Sequence, residues 1–181
     1  KLKHSYRMLL ADRVKDDLLK AARSSNPDSS MQRAIDVLKR WDNRVAPESR
    51  GALLFETWWR RDQSQARDST YTETWTPAKP TITPRGVGSP QKAIEALAWA
   101  IPETARRFGA IDTPWGDVHR VRRANVDVPV GGCTGAYGCF RVLSYTEQPD
   151  GKRAASTGDG WVLAVEFTNT PDGLDAFHHR H

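Results

Sequence analysis

The sequence has little cysteine and no long apolar run. Its 181 residues include only two cysteines, too few for a four-ligand zinc site built on cysteine. The apolar runs are a few residues long, whereas a membrane-spanning helix needs about 20. The opening stretch KLKHSYRMLLADRVKDD lacks the apolar core of a signal peptide, so any export signal would lie outside this chain. GxSxG elbows, phosphate loops, HExxH motifs and internal repeats are also missing, and we expect no cofactor.

What is present suits one ordinary domain. Hydrophobic residues make up 38% of the chain and seven tryptophans are among them, which is enough to build a core. The formal net charge is +5, but basic and acidic residues alternate in stretches such as RRDQSQARD. Solvated helix faces explain that charge, so we expect no nucleic-acid partner.

Residues 1–63 have the pattern of a helical cluster. Apolar spacing predicts a first helix over about residues 5–23, which SSNPDSS interrupts. Ser29 with Gln32 has the form of a capping box for a second helix. The aromatic run WDNRVAPESRGALLFETWWRR predicts a third, buried helix from about Glu48, and its aromatic stripe is more typical of a core than of a cofactor site.

Residues 64–90 are rich in Thr, Pro and Ser, and their prolines prevent regular hydrogen bonding. This connection is either a surface linker or a segment that wraps a neighbouring element. Residues 91–109 then predict a fourth helix, introduced by Ser89 and Pro90 and ended by Gly109. Pro102 inside it predicts a kink or a division into two helices.

In residues 110–168 the sequence pattern changes from helical to strand-like. Apolar and polar residues alternate imperfectly in VHRVRRANVDVPV, and FRVLSY and WVLAVEF are short strand-like runs. They predict two or three antiparallel strands, and therefore an α+β arrangement of mainly helices followed by a small sheet. Residues 169–181 form a tail. Its His178, His179 and His181 could bind a metal adventitiously, but a frayed terminus is the simpler prediction, and no metal site is assigned.

Two residue pairs could carry chemistry. Asp117 lies two residues before His119, where a carboxylate on the same strand face can orient an imidazole as a general base. Such pairs are more often surface hydrogen bonds, so Asp117 and His119 are weak catalytic candidates. Cys133 and Cys139 flank TGAYG; a disulfide in an exported protein is favoured, and two reduced core thiols are the alternative.

Five stretches, in order, resemble the C-terminal half of the β chain of the penicillin-acylase family. They are WDNRVAPESRGALLFETWWRR, TPAKPTITPRGV, TPWGDVHRVRR, VPVGGC and GDGWVLAVEF, and together they span roughly residues 30–168. Among the branches of the family, the chain is most similar to the aculeacin-acylase and acyl-homoserine-lactone-acylase type.

The resemblance implies an N-terminal-nucleophile hydrolase with an αββα sandwich. In this family a precursor cleaves itself to expose an N-terminal serine on the β chain, which attacks an amide and forms an acyl-enzyme. This chain begins with Lys1, so neither that serine nor the family's oxyanion asparagine has a matching position. The usual Gly-x-Ser and Ser-Pro-His ending is also unmatched. We therefore expect an internal or truncated piece of the β chain that supplies scaffold and is inactive alone.

The resemblance also implies partners, substrates and a location. The partners would be the remaining β-chain segments and the α chain, and the small-molecule substrate an acylated homoserine lactone, lipopeptide or β-lactam. Such enzymes act in antibiotic biosynthesis, antibiotic resistance or quorum quenching, and this one would be periplasmic or secreted in a bacterium. The alternative is a non-catalytic accessory or relic domain that only binds partner chains.

Overall fold

The computed structural model describes residues 5–65, 70–159, 161–167 and 174–180. Within them the chain forms helices first and strands afterwards, which confirms the predicted α+β class. The helices are α1 Leu9–Ser24, α2 Ser29–Arg40, α3 Ala52–Gln65, α4 Pro90–Phe108 and α5 Trp115–Val118. The strands are β1 His119–Arg123, β2 Val126–Pro129, β3 Leu143–Glu147, β4 Arg153–Gly158, β5 Trp161–Phe167 and β6 Leu174–Arg180.

The helices surround one apolar core, and α3 lies at its centre as its aromatic spacing predicts. Phe55 of α3 contacts Trp41 and Trp58, with ring centroids 5.1 and 5.3 Å away. The Trp58 indole Nε1 donates to the Ala93 carbonyl oxygen at 3.0 Å. This bond satisfies the polar atom of a fully buried side chain and ties α3 to α4.

One predicted helix start and one predicted helix cap are wrong in detail. Helix α3 begins at Ala52 rather than Glu48, because Ser49 closes a turn on Ala46 and Gly51 has a φ of 103° that a helix cannot contain. Helix α2 begins at the expected place, but its cap is Asp28 and not Ser29. The Asp28 carboxylate accepts from the Met31 main-chain nitrogen at 2.7 Å.

Helix α4 is continuous from Pro90 to Phe108, so of the two outcomes predicted for Pro102, a kink or a division, the division does not occur. The Pro102 ring is on the exposed side of the helix, where the hydrogen bond that it cannot form is lost next to solvent rather than in the core. Gly109 ends the helix as predicted, with a φ of 89° and its N–H donating to the Ala105 carbonyl.

The described part of the connection, residues 70–88, wraps α1 and α3. Its two arms are joined by reciprocal main-chain hydrogen bonds between Glu73 and Arg85, 3.0 and 2.9 Å long. The Gly86 nitrogen donates to the Arg13 carbonyl of α1 at 2.9 Å. The Tyr71 ring packs on Trp59 of α3 with centroids 5.6 Å apart. Of the two alternatives, the structure favours the wrapping segment over a free linker.

The sheet is larger than expected and is not purely antiparallel. Four strands have the order β2-β1-β4-β3, in which β1 and β4 pair in parallel and the other neighbours are antiparallel. Alternation within a strand does not specify its partner or direction, which is why the sequence could not predict the parallel pair. Strands β5 and β6 form a separate antiparallel pair.

The predicted frayed tail is also wrong for the residues that the structure describes. His178 and His179 belong to strand β6, whose backbone pairs along its whole length with β5. Seven consecutive pairs with a neighbouring strand hold the backbone in register. His181 lies outside the described residues.

Candidate functional site

A cluster of buried polar side chains connects helix α3 to the four-stranded sheet. Glu56 comes from the middle of α3, while His119 and Arg153 are the first residues of the parallel strands β1 and β4 and lie opposite each other in register. The Arg153 Nη1 donates to Glu56 Oε2 at 2.6 Å and to His119 Nε2 at 3.3 Å. The side chains of Glu56 and Arg153 are each only 5% exposed. We call Glu56, His119 and Arg153 the buried triad.

His119 is held between two aromatic rings. Its imidazole stacks on Trp115 with centroids 3.6 Å apart and meets the edge of Tyr145 at 4.4 Å. The Nδ1 atom lies 3.2 Å from the Trp115 carbonyl oxygen, which can only accept, so Nδ1 carries the proton and Nε2 accepts from Arg153. Burial, reinforced by the charge of Arg153, lowers the pKa of His119 to about 3 despite the opposing charge of Glu56. The imidazole is therefore neutral at neutral pH.

Glu56 is ionised in spite of its burial. Burial acts to raise its pKa, but the charges of Arg153 and Arg60 outweigh that effect, and the pKa of Glu56 lies below its ordinary value. Arg60, one helical turn further along α3, donates from Nη2 to Glu56 Oε1 at 3.0 Å. Both carboxylate oxygens thus have a guanidinium partner, as a buried charge requires.

The buried triad forms one side of a cleft of about 250 Å³ between the middle of α3, strand β3 and the loop after β2. We call this space the β3 cleft. Arg60 stands at its mouth, where its side chain is 52% exposed. The lining residues are Glu56, Arg60, Trp115, His119, Cys133, Thr134, Leu143, Ser144, Tyr145, Glu147 and Arg153.

Cys133 and Cys139 are joined by a disulfide in the structure, with their Cα atoms 5.6 Å apart and both side chains buried. The enclosed loop makes a single turn of 3₁₀ helix, Gly135–Tyr137. Thr134 caps that turn through the Ala136 nitrogen, and Gly138 follows it in the left-handed conformation, with a φ of 71°. The disulfide thereby holds one wall of the β3 cleft.

The structure does not bring Asp117 and His119 together as a catalytic pair. Asp117 lies on the helical turn α5, where it is exposed, while His119 begins β1 and is 1% exposed. Residues 117 and 119 therefore do not share a strand face, which the spacing argument assumed. Both imidazole nitrogens bond elsewhere, and in the part of the chain that the structure describes no hydroxyl or thiol is hydrogen-bonded to His119.

Sequence reasoning missed Glu56 and Arg153. Glu56 carries a detectable signal, since it is an acidic residue inside the apolar stretch ALLFETWW, where a buried charge needs a partner. Arg153 carries none. It follows the turn at Asp150 and Gly151 and is 97 residues away from Glu56, so no local pattern couples the two.

The described residues contain neither a metal-binding cluster nor a helix that could span a membrane. No group of three or more His, Cys, Asp and Glu side chains in residues 5–65, 70–159, 161–167 and 174–180 is placed to hold a metal ion. Across the same residues, no helix combines the length and apolar character that crossing a bilayer requires.

The family model described as penicillin amidase matches residues 1–178, nearly the whole chain. The match extends beyond the stretch on which the sequence resemblance rests, and it agrees with the α+β order of elements. The resemblance is thus confirmed at the level of the family, and the chain belongs to the penicillin amidase family.

Proposed function

We propose that this chain is the scaffold portion of a penicillin-amidase-type acylase, an enzyme that hydrolyses the amide bond between an acyl group and an amine. The match of the penicillin amidase family to residues 1–178 is the observation that carries the proposal. Membership supports amide hydrolysis by the complete protein, in which an N-terminal serine would act as the nucleophile.

The geometry of the buried triad supports a scaffolding role for these residues. A general base needs an accessible nitrogen lone pair near a nucleophile and a pKa near the working pH. His119 has a pKa of about 3, and its Nε2 lone pair already accepts from Arg153. The buried triad instead links α3 to β1 and β4 through hydrogen bonds among buried groups, which suits a structural connection.

The finer parts of the proposal come from the resemblance. The substrate would be an acyl-homoserine lactone, an acylated lipopeptide or an acylated β-lactam nucleus, and the enzyme would be periplasmic or secreted in a bacterium. The remaining β-chain segments and an α chain would complete the αββα sandwich and supply the nucleophile and the oxyanion donors. A disulfide between Cys133 and Cys139 is consistent with an oxidising compartment.

The test compares the purified 181-residue chain with the product of its complete reading frame. Both are incubated with acyl-homoserine lactones of several chain lengths and with acylated β-lactams, and the free amine is measured. We expect turnover by the complete protein and none by the 181-residue chain, because losing a single oxyanion donor already costs roughly 10²–10³ in rate and here the nucleophile is unmatched as well.

Matched variants separate scaffold from catalysis. Asp117→Asn removes the exposed carboxylate, and His119→Ala removes the imidazole. In the complete protein, Asp117→Asn should leave the rate unchanged. Turnover by the 181-residue chain that either substitution abolishes would overturn the scaffold assignment. A complete protein that folds but hydrolyses none of these amides would favour the accessory, partner-binding alternative.

A further inference from the structure

The turn between β3 and β4 contains an Asp–Gly pair. Of the three Asp–Gly dipeptides in the sequence, at positions 150, 159 and 172, only the first lies wholly within the described residues. Residues 148–151 form a β-turn, in which the Gly151 nitrogen donates to the Gln148 carbonyl oxygen at 3.0 Å. Gly151 has a φ of 78°, in the left-handed region that favours glycine. The dipeptide therefore belongs to the connection that sets where β4 begins.

An Asp–Gly pair can rearrange without an enzyme or a cofactor. The glycine nitrogen attacks the carbon of the protonated side-chain carboxyl, a C–N bond forms, and the carboxyl hydroxyl leaves as water with the proton of that nitrogen. Water then adds to one of the two carbonyl carbons of the succinimide ring and opens it. Opening at the main-chain carbonyl gives isoaspartate, in which the chain runs through the side-chain carbons. The mass is unchanged, and the main chain is longer by one atom.

The structure leaves room for this rearrangement. A Cβ built on Gly151 would meet no described atom within 4 Å, so the attacking nitrogen lies in an open turn. The side chain of Asp150 is 47% exposed, and solvent water therefore reaches its carboxyl group. Glycine also hinders the attack less than any other residue at this position, because it carries no side chain.

Arg122 of β1 opposes the reaction. Its Nη2 donates to Asp150 Oδ2 at 2.6 Å, and the Lys152 nitrogen donates to Oδ1 at 3.1 Å. The hydrogen bond from Arg122 is the main reason why the pKa of Asp150 lies below its ordinary value. An ionised carboxylate has no hydroxyl group to release, so this contact keeps the group in its unreactive form. The pair is exposed, however, and exposed ion pairs are weak enough to open often.

The same turn determines where Arg153 lies. Glu147 and Arg153 pair across the hairpin, and Arg153 is the first residue of β4. Its Nη1 donates to Glu56 Oε2 at 2.6 Å in the buried triad. An additional main-chain atom after Asp150 lengthens the loop that ends at Arg153 and so disturbs this contact, because a buried ion pair depends on accurate geometry.

We propose that Asp150 is a modification site of the folded chain, where it converts to isoaspartate at the bond to Gly151, and that the ion pair with Arg122 limits the rate of this conversion. The product loosens the attachment of Arg153 to the buried triad. An exposed turn is thus the point at which a slow chemical change reaches the core.

Peptide mapping of the aged 181-residue chain tests the site. The chain is incubated at neutral pH, digested, and analysed by electron-transfer fragmentation, which distinguishes aspartate from isoaspartate although their masses are equal. Wild type is compared with Arg122→Met and with Arg123→Met. The second variant is the matched control, because it removes the same charge from the next position of β1, whose side chain points to the opposite face of the strand.

We expect isoaspartate at position 150 to accumulate about threefold faster in Arg122→Met than in wild type, a factor in keeping with the strength of an exposed ion pair. Arg123→Met should age at the wild-type rate. Equal rates in all three proteins would refute the role of Arg122. Absence of the product from folded wild type, once the urea-unfolded chain has formed it, would refute the site. If Arg122→Met does not fold, as judged by circular dichroism, Arg122→Gln takes its place in the same comparison.

The consequence for the buried triad is tested on the separated products. The isoaspartate form is isolated by chromatography, and its urea unfolding is compared with that of the unmodified fraction. We expect a lower urea midpoint for the isoaspartate form. Asp150→Glu is the control, since glutamate keeps the carboxylate but would have to close a larger and less favourable ring, and its midpoint should not change with age. Identical midpoints for the two fractions would overturn the proposed link between this turn and Arg153.

Discussion

His119 is buried in its neutral form, and the stability of the folded state therefore depends on pH. Its pKa of about 3 in the folded chain lies below the ordinary value of 6.5, with burial as the first cause. The unfolded chain therefore binds a proton in a pH range where the folded chain does not. The resulting stability is complete above pH 6.5 and is lost as the pH falls toward 3.

We predict that the free energy of unfolding falls between pH 6 and pH 4, with His119 contributing a slope of up to about 1.4 kcal/mol per pH unit. Urea denaturation of the wild type and of His119→Gln at several pH values measures it. Glutamine keeps an acceptor for Arg153 but does not titrate. The free energy of unfolding of His119→Gln should therefore fall less steeply as the pH decreases, and the difference in slope should correspond to close to one proton. Parallel curves would show that His119 is not the coupled group.

The ion pair between Glu56 and Arg153 should contribute far more to the free energy of unfolding than the exposed ion pairs do. Arg153→Met would leave the buried carboxylate with Arg60 alone, and breaking such a pair costs roughly 3–5 kcal/mol. Arg122→Met removes a partner from exposed Asp127 and Asp150 and should cost far less, because solvent screens such pairs. Chemical denaturation measures both.

A double variant sharpens that prediction. Replacing Glu56 and Arg153 together by methionine removes both buried charges, so it should destabilise less than Arg153→Met alone. A double variant that loses as much as the sum of the two single variants would mean that the charges act independently and that the 2.6 Å contact does not govern stability.

At the scale of elements, two substitutions at the start of α2 distinguish the capping box predicted from the sequence from the cap that the structure shows. Asp28→Ala removes the carboxylate that accepts from the Met31 nitrogen and should cost about 1 kcal/mol. Ser29→Ala tests the capping-box prediction and should change stability by less than about 0.5 kcal/mol. Thermal unfolding of the two variants side by side measures the difference, and a larger loss for Ser29→Ala would restore the capping-box assignment.

The stability of the folded chain should depend on the disulfide that closes the loop between Cys133 and Cys139. The cysteines are six positions apart, and closing so short a loop in the unfolded chain is worth about 2 kcal/mol in the chain-entropy description. The variant with serine at both positions should be less stable than the oxidised protein by that amount. Alkylation of native material without reductant, followed by mass measurement, checks the starting state, and two free thiols would contradict it.

At the scale of the whole molecule, helices and sheet should unfold together. One core cluster includes side chains from helices α1 to α5 together with Cys133 and Cys139, and the buried triad fastens α3 to β1 and β4. We predict a single cooperative transition, with coincident curves from far-ultraviolet circular dichroism and from tryptophan fluorescence. Separate transitions from the two probes would show that the helical part and the sheet are independent units.

How far the sequence predicts the fold differs between its helical and strand regions. The helices were predictable because amphipathic spacing is a local property, and Pro90 and Gly109 mark the start and the end of α4. For the sheet, the sequence predicted only that this region forms strands. Its order and its parallel pair depend on contacts between residues far apart in the chain, such as His119 with Arg153, which no window of sequence contains.

The sequence by itself determined the α+β class, the buried aromatic helix and membership of the penicillin amidase family, because these follow from local spacing and from ordered motifs. Only the tertiary structure decided the state of the polar groups. It separated Asp117 from His119 by ending α5 between them, and it brought Glu56 within 2.6 Å of Arg153 across 97 residues. The physical reason is that burial and charge pairing depend on the whole core, so they set the pKa of His119 only once the chain has folded.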